Sequence, residues 1–322
     1  MNTESVQQTT NAILEEVEKI IVGKRTQMEY IMMAILSEGH VLLDDLPGSG
    51  KTTLVKSMSL ALGCECKRIQ FTPDLLPSDI IGMNIFNQQT REFQFLEGPV
   101  QTNILLADEI NRAIPRTQSA LLEAMEERQT TVDGVSRPLP EPFLVMATQN
   151  PVESESTFQL PAAQMDRFFV KLSLGYPTQE EEVAILGNLG DKIPFDTIKA
   201  VASPEDIKSL QEEVQKAFVS DAVKGYIVEL VQKTRDNKLL KSGASPRASR
   251  SLFKGGKAYA AMQGRRFVTP DDIAHIAVPV LAHRIQLSNE ARFSGRQAEE
   301  LIREILQETP VPPKKEELFH EN

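Results

Sequence analysis

The chain has 322 residues, 41% of them hydrophobic and 25% charged, which describes a globular protein long enough for two domains rather than a disordered chain. A net charge of −10 argues against a main task of holding a phosphate backbone. Two cysteines, Cys64 and Cys66, exclude a disulfide framework and a self-contained zinc site and fit a reducing compartment. The first residues carry no basic-then-apolar leader and no apolar run approaches the ~20 residues that span a bilayer, so a soluble, cytoplasmic protein without membrane insertion is expected.

Ile13, Leu14, Val17, Ile20 and Ile21 recur at three and four and predict a helix. Val22-Gly23 breaks it, and Met28, Ile31, Met32 and Ile35 predict a second. HVLLDD reads as a buried strand, PGSG as a turn, KTTLVKSMSLAL as a helix and KRIQF as the next strand. Residues 72–101 are irregular, with a hairpin predicted at FNQQTREFQF. NILLADE, PFLVMATQN and FFVKLSL predict three more strands, and PRTQSALLEAMEER a helix. Asp133-Gly134 closes a hairpin in TTVDGVS. Apolar strands alternating with helices predict an α/β fold whose mostly parallel sheet has helices on both faces. From residue 178 every strong pattern is helical. The expected organisation is therefore an α/β domain over 1–177, an all-α domain over 178–308 and a polar tail over 309–322.

The strongest motif is Pro47-Gly48-Ser49-Gly50-Lys51-Thr52, followed by Thr53, between a predicted strand and a predicted helix. Glycines let backbone N–H groups approach phosphates, and the helix adds its positive end. Lys51 supplies charge to the β- and γ-phosphates and Thr52 a hydroxyl to Mg²⁺. Asp45 stands where the full loop pattern has its first glycine. Asp108 and Glu109 end an apolar strand, where Asp108 would hold Mg²⁺ and Glu109 would deprotonate the attacking water. Asn150 ends a third strand and would hydrogen-bond the γ-phosphate or the water. The expected ligands are a nucleoside triphosphate and Mg²⁺.

Taken in order, PGSGKT, LLADEINRA, TQSALLEAMEER, ATQNP, AQMDRF, GASPRA and GRRFVTPDDI resemble the MoxR family of AAA+ ATPases. The resemblance runs from about residue 12 to 308. It implies an AAA+ P-loop module followed by a helical lid, in a ring that is usually a hexamer. It implies that 72–101 is a helix-2 insert, that TTVDGVS is the hairpin before the first sensor strand, and that Val22 and Gly23 line the adenine pocket. Arg167 matches the arginine finger that reaches a neighbour's γ-phosphate. Arg247 matches the second-sensor arginine, which would couple lid angle to the γ-phosphate, and Arg112 is a further candidate for an intersubunit contact. Two residues beside the finger depart from the family pattern: Ala162 replaces a glutamate and Ser156 a glycine.

The resemblance implies an ATP hydrolase that remodels or matures partner proteins, usually with von Willebrand factor A domains. The alternatives are a nucleic-acid motor of the same clade, the ATPase subunit of a magnesium-chelatase-like complex, and a nucleotide-gated scaffold. Acidic balance and the lack of a basic hairpin tip oppose stable nucleic-acid binding, and intact Lys51, Asp108, Glu109 and Arg167 oppose the scaffold. His40, His275, His283 and His320 lack metal-ligand spacing, with His275 and His283 placed on one predicted helix, and packing or capping is their expected role. Arg265, Arg266 and Lys257 read as a solvated face rather than a basic patch.

Overall fold

The computed structural model describes residues 3–45, 48–150, 157–189 and 193–312. At its centre lie five strands: Val41–Asp44, Cys66–Gln70, Ile104–Asp108, Leu144–Gln149 and Val170–Leu172. Numbered along the chain, they stand in the sheet in the order second, third, fourth, first, fifth, and every neighbouring pair is parallel. Val41, Leu43, Ile104, Leu106, Leu144 and Met146 enter one apolar cluster, whereas Leu42, Leu105, Ala107, Val145 and Ala147 enter another. Successive side chains thus go to opposite faces and both faces are buried, which is why these strands read as unbroken apolar runs.

The first cluster joins helices Thr3–Glu18, Arg25–Leu36 and Lys51–Ala61 to helices from the second half, among them Pro204–Gln215, Pro246–Met262 and Pro270–Leu281. The second is covered by helix Pro115–Glu127 through Leu121, Leu122, Ala124 and Met125. Helix starts in the second half follow local chemistry. Ser203, Ser245 and Thr269 cap the backbone with their hydroxyls, and Pro204, Pro246 and Pro270 follow at the first turn, where a missing N–H costs nothing.

Two antiparallel hairpins project from the sheet module: Gly82–Asn87 with Glu92–Glu97, and Gln129–Val132 with Val135–Pro138. Asn84 Nδ2 donates to Asp133 Oδ2 at 2.7 Å and ties them together. Ile85, Phe86, Phe93, Leu96 and Val135 are exposed on them. The helical half holds one feature that periodicity misses, a short antiparallel pair between Leu240–Ser242 and Gln286–Leu287. Elements of two and three residues are too short to show a period. His275 and His283 do not share a helix: His275 lies in Pro270–Leu281, and His283 in the 3₁₀ turn Ala282–Arg284.

Candidate functional site

The phosphate-loop residues sit at the carboxyl end of the Val41–Asp44 strand and open the Lys51–Ala61 helix. Pro47 lies outside the described residues, as do Ser156 and the tail from 313. Gly48 and Gly50 both have φ of +84°, a left-handed conformation that strains other residues. A Cβ on either would meet nothing within 4 Å, so the space above both is open. Ser49 Oγ is buried without a hydrogen-bond partner among the described residues. Lys51 Nζ donates to Asp45 O at 2.8 Å, curling the loop on itself. Thr52 is exposed and Thr53 half-buried in the first helical turn. The departure at Asp45 has a structural use. Its buried carboxylate accepts from Ser173 Oγ (2.6 Å), Leu174 N (2.8 Å) and Gly175 N (3.0 Å), pinning the loop to the exit of the fifth strand.

The acidic pair ends the neighbouring Ile104–Asp108 strand. Asp108 Oδ2 accepts from Arg68 Nη2 (2.7 Å) and Nε (3.0 Å), and Oδ1 from Thr148 Oγ1 (2.7 Å). Glu109 turns into the left-handed region at φ +56°. Its N–H donates to Thr148 Oγ1 at 2.8 Å, and its Oε2 accepts from Gln70 Nε2 (2.7 Å) and Arg112 Nη1 (2.9 Å). Arg112, an intersubunit candidate by sequence, therefore contacts Glu109 of its own chain. Asn150 is buried beside them, its carbonyl 3.4 Å from Asn111 Nδ2. Gly23 approaches this end from the other side: a Cβ there would lie 1.8 Å from Glu181 Oε1. Val22 beside it is half-buried.

Arg68, Gln70 and Thr148 were not singled out by sequence. Thr148 signals itself as a polar residue within a buried strand, and Arg68 and Gln70 as polar residues two positions apart on an edge strand. Seeing their target requires knowing that Cys66–Gln70 and Leu144–Gln149 flank the acidic strand.

Arg167 and Arg247 come together elsewhere. They line a cleft of ≈ 330 Å³ that also holds Arg128, Arg250, Lys254 and Arg284, with Glu38, Glu126 and Asp166 as its carboxylates. Ser37 to His40, which line it, precede the first strand, and Asp166 to Phe169 precede the fifth. The cleft therefore opens at the amino ends of the strands, and none of the described phosphate-loop residues lines it. Arg167 Nη1 donates to Leu122 O (2.8 Å) and pairs with Glu126 Oε2 (2.8 Å). Arg247 Nη2 pairs with the other oxygen, Glu126 Oε1. Asp166 is paired not with Arg167 but with Arg284, at 2.6 Å, and also accepts from Ser245 Oγ at 2.8 Å.

The remaining titratable residues are structural. His40 is buried, accepts from Val145 N at Nδ1 (3.0 Å) and faces Met125 O with Nε2 (3.0 Å), a pairing that requires the neutral ring. Burial, with Arg128 nearby, pushes its pKa down to about 3. Burial raises the Cys64 thiol to about 12 and raises Cys66 as well, which keeps both from acting as thiolates. Arg265 is held by Asp272, Arg266 bonds Thr3, and Lys257 bonds Gln215 O, so the three form no open basic patch.

The residues at the carboxyl end fit a nucleoside triphosphate with Mg²⁺. Open space over two left-handed glycines and a buried, unpartnered Ser49 hydroxyl make a cradle for phosphate oxygens. Among the described residues no group of three or more His, Cys, Asp or Glu could hold a metal ion. One hydroxyl and one carboxylate, Thr52 and Asp108, suit a cation that takes its other ligands from phosphate and water.

Comparison with known proteins agrees. Residues 40–170 match the ATPase family associated with various cellular activities (AAA), and residues 232–305 match an AAA lid domain. The chain is 50% identical to the uncharacterised protein YeaC of Bacillus subtilis over 93% of each. It is 42% identical to the chaperone MoxR1 of Mycobacterium tuberculosis over 94% of this chain and 82% of that one. A crystal structure from Cytophaga hutchinsonii, provisionally described as an ATPase, superposes with a TM-score of 0.90 at 36% identity, covering 97% of each chain.

Proposed function

Since this chain belongs to the MoxR family of AAA+ ATPases, we propose that it is a Mg²⁺-dependent ATP hydrolase working as a ring, usually of six copies, to remodel or mature partner proteins. One observation carries the ring: Arg167 and Arg247 share a cleft at the amino ends of the strands, while Lys51, Thr52, Asp108 and Glu109 stand at the carboxyl ends. The Val41–Asp44 strand alone separates these ends by about 13 Å. A subunit cannot bring its own finger to its own phosphate, and a neighbour can.

Thr52 and Asp108 would hold Mg²⁺, which would supply positive charge against the charge developing on the phosphoryl oxygens. Lys51 turns from Asp45 O to the phosphates. Glu109 orients the attacking water and accepts its proton, while Gln70 and Arg112 fix the carboxylate beforehand. Asn150 hydrogen-bonds the water or the γ-phosphate. Val22 and Gly23 line the adenine side. Arg167 and Arg247 of the adjacent copy stabilise charge spread over the transferring phosphoryl oxygens. In this reading 1–177 is the module, 178–308 the lid and 309–322 an appended tail.

The tied hairpins support a protein partner rather than nucleic acid. Their exposed side chains include Phe86, Phe93 and Leu96, and they set Arg91 and Arg137 against Glu92, Glu97 and Asp133, a net negative balance that does not suit a phosphate backbone. A von Willebrand factor A domain protein is the proposed partner and the cytoplasm the proposed site of action. Among the described residues, no helix is long and apolar enough to cross a membrane.

The test is ATP turnover per subunit against protein concentration, with and without added Arg167→Ala. Turnover should rise with concentration, and the variant should poison wild-type activity. Turnover independent of concentration, with Arg167→Ala harmless, would leave a self-contained NTPase.

A further inference from the structure

Resting on that reading, we propose that Glu126 is the displaceable counter-ion of the Arg167–Arg247 pair: it holds both guanidiniums in a subunit without a neighbour, and an incoming triphosphate must take its place. No sequence pattern assigns this residue a role. It sits in the last turn of helix Pro115–Glu127 and gives one carboxylate oxygen to each arginine. Arg167 arrives just after the Ala162–Met165 helix and Arg247 from the first turn of Pro246–Met262, so three elements meet on one side chain.

The adjacent pair shows why this one can exchange. Arg284 is 2% exposed, and its guanidinium is committed to Asp166, Phe168 O (2.7 Å) and Ser251 Oγ (3.0 Å). Arg128 is likewise committed to the carbonyls of Phe143 and Glu38. Neither can turn to a ligand without abandoning these partners. Glu126, Arg167 and Arg247 are instead 34%, 31% and 46% exposed. Ion pairs so exposed are weak, and a polyanion competes for the same donors with more charge and more oxygens. The carboxylate keeps two like charges together while no phosphate is present, and it opposes phosphate binding by its own charge.

The first experiment uses inorganic tripolyphosphate on Lys51→Ala subunits, whose phosphate loop is disabled, at concentrations where they are single. Calorimetry should show Glu126→Gln binding triphosphate on the order of tenfold more tightly, the equivalent of about 1.4 kcal/mol. Arg167→Ala added to either should remove the binding. In the chain with Lys51 intact, Glu126→Gln should reach half-maximal turnover at a protein concentration several-fold lower.

Equal triphosphate affinity with and without Glu126→Gln overturns the proposal, as does weaker affinity, which would mark the carboxylate as a support. Absence of binding to both overturns it too. The titration needs no ring, so its outcome is separable from that of the concentration test, which alone decides the ring reading.

Discussion

The two ends of the central sheet are built in opposite ways. At the carboxyl end, the candidate site residues arrive in compact runs: Gly48 to Thr53, Asp108 with Glu109, and Asn150, each following a strand. At the amino end the cleft is assembled from Glu38, Glu126, Arg167, Arg247 and Arg284, which belong to separate segments. The first end is a set of motifs and the second a constellation. A motif places its atoms by local geometry, whereas a constellation exists only once the module and the helical half have packed. In the proposed ring, chemistry that waits for a neighbour would lie at the end that depends on the whole fold.

The sharpest way to break this contrast is to disable each end separately. Lys51→Ala should weaken nucleotide binding by a hundredfold or more at any protein concentration, read with a fluorescent ATP analogue (about 2.7 kcal/mol at two factors of ten). Glu109→Gln should keep the nucleotide and lose turnover by about a hundredfold or more, as expected for removal of a general base. Arg167→Ala should keep binding and lose about a thousandfold in turnover, the lower range for an arginine finger. If Arg167→Ala instead abolished binding in dilute, single subunits, the two ends would not be separate half-sites.

How legible each end was follows from the same difference. The parallel strands were visible because burial on both faces writes continuous apolar runs, and the phosphate loop because positive φ demands glycine at 48 and 50. Glu126 was hidden in ALLEAMEER, where three glutamates look like one solvated helix face. Arg284 was hidden because a buried arginine is recognised by its partner, and Asp166 lies 118 residues away. Thr148 lay inside a quoted run, yet its use depends on strand order that periodicity does not contain.

A smaller effect separates support from chemistry at the carboxyl end. Thr148 donates to Asp108 and accepts from the Glu109 N–H, so one hydroxyl registers both acids. Thr148→Val keeps the shape and leaves both groups unpaired, one of them on a buried carboxylate. It should cost up to about 3 kcal/mol in urea unfolding, together with a fall in turnover, whereas Thr148→Ser should restore most of both.

The smallest effect should belong to the amino end alone. His40 and His283, the two buried histidines among the described residues, both sit there: His40 just before the first strand, and His283 with Nε2 3.0 Å from Phe168 O, just before the fifth. Burial lowers both pKa values, to about 3 for His40, and Arg128 beside His40 and Arg284 beside His283 add to the lowering. Below pH 6.5, the usual histidine value, the unfolded chain binds protons that the folded chain refuses, so stability falls as pH falls. The loss continues to about pH 3 for His40. Between pH 7 and pH 5 His40 should cost the fold about 2 kcal/mol, and His283 acts in the same direction. Urea midpoints at the two pH values measure the dependence, and His40→Gln should flatten it. Hydrogen exchange at pH 5 should then show opening first around Val145, whose N–H the His40 ring accepts, before the Ile104–Asp108 strand that carries the acids. Uniform loosening of both ends would mean that the sheet transmits the strain and that its two ends, distinct in chemistry, are one unit in stability.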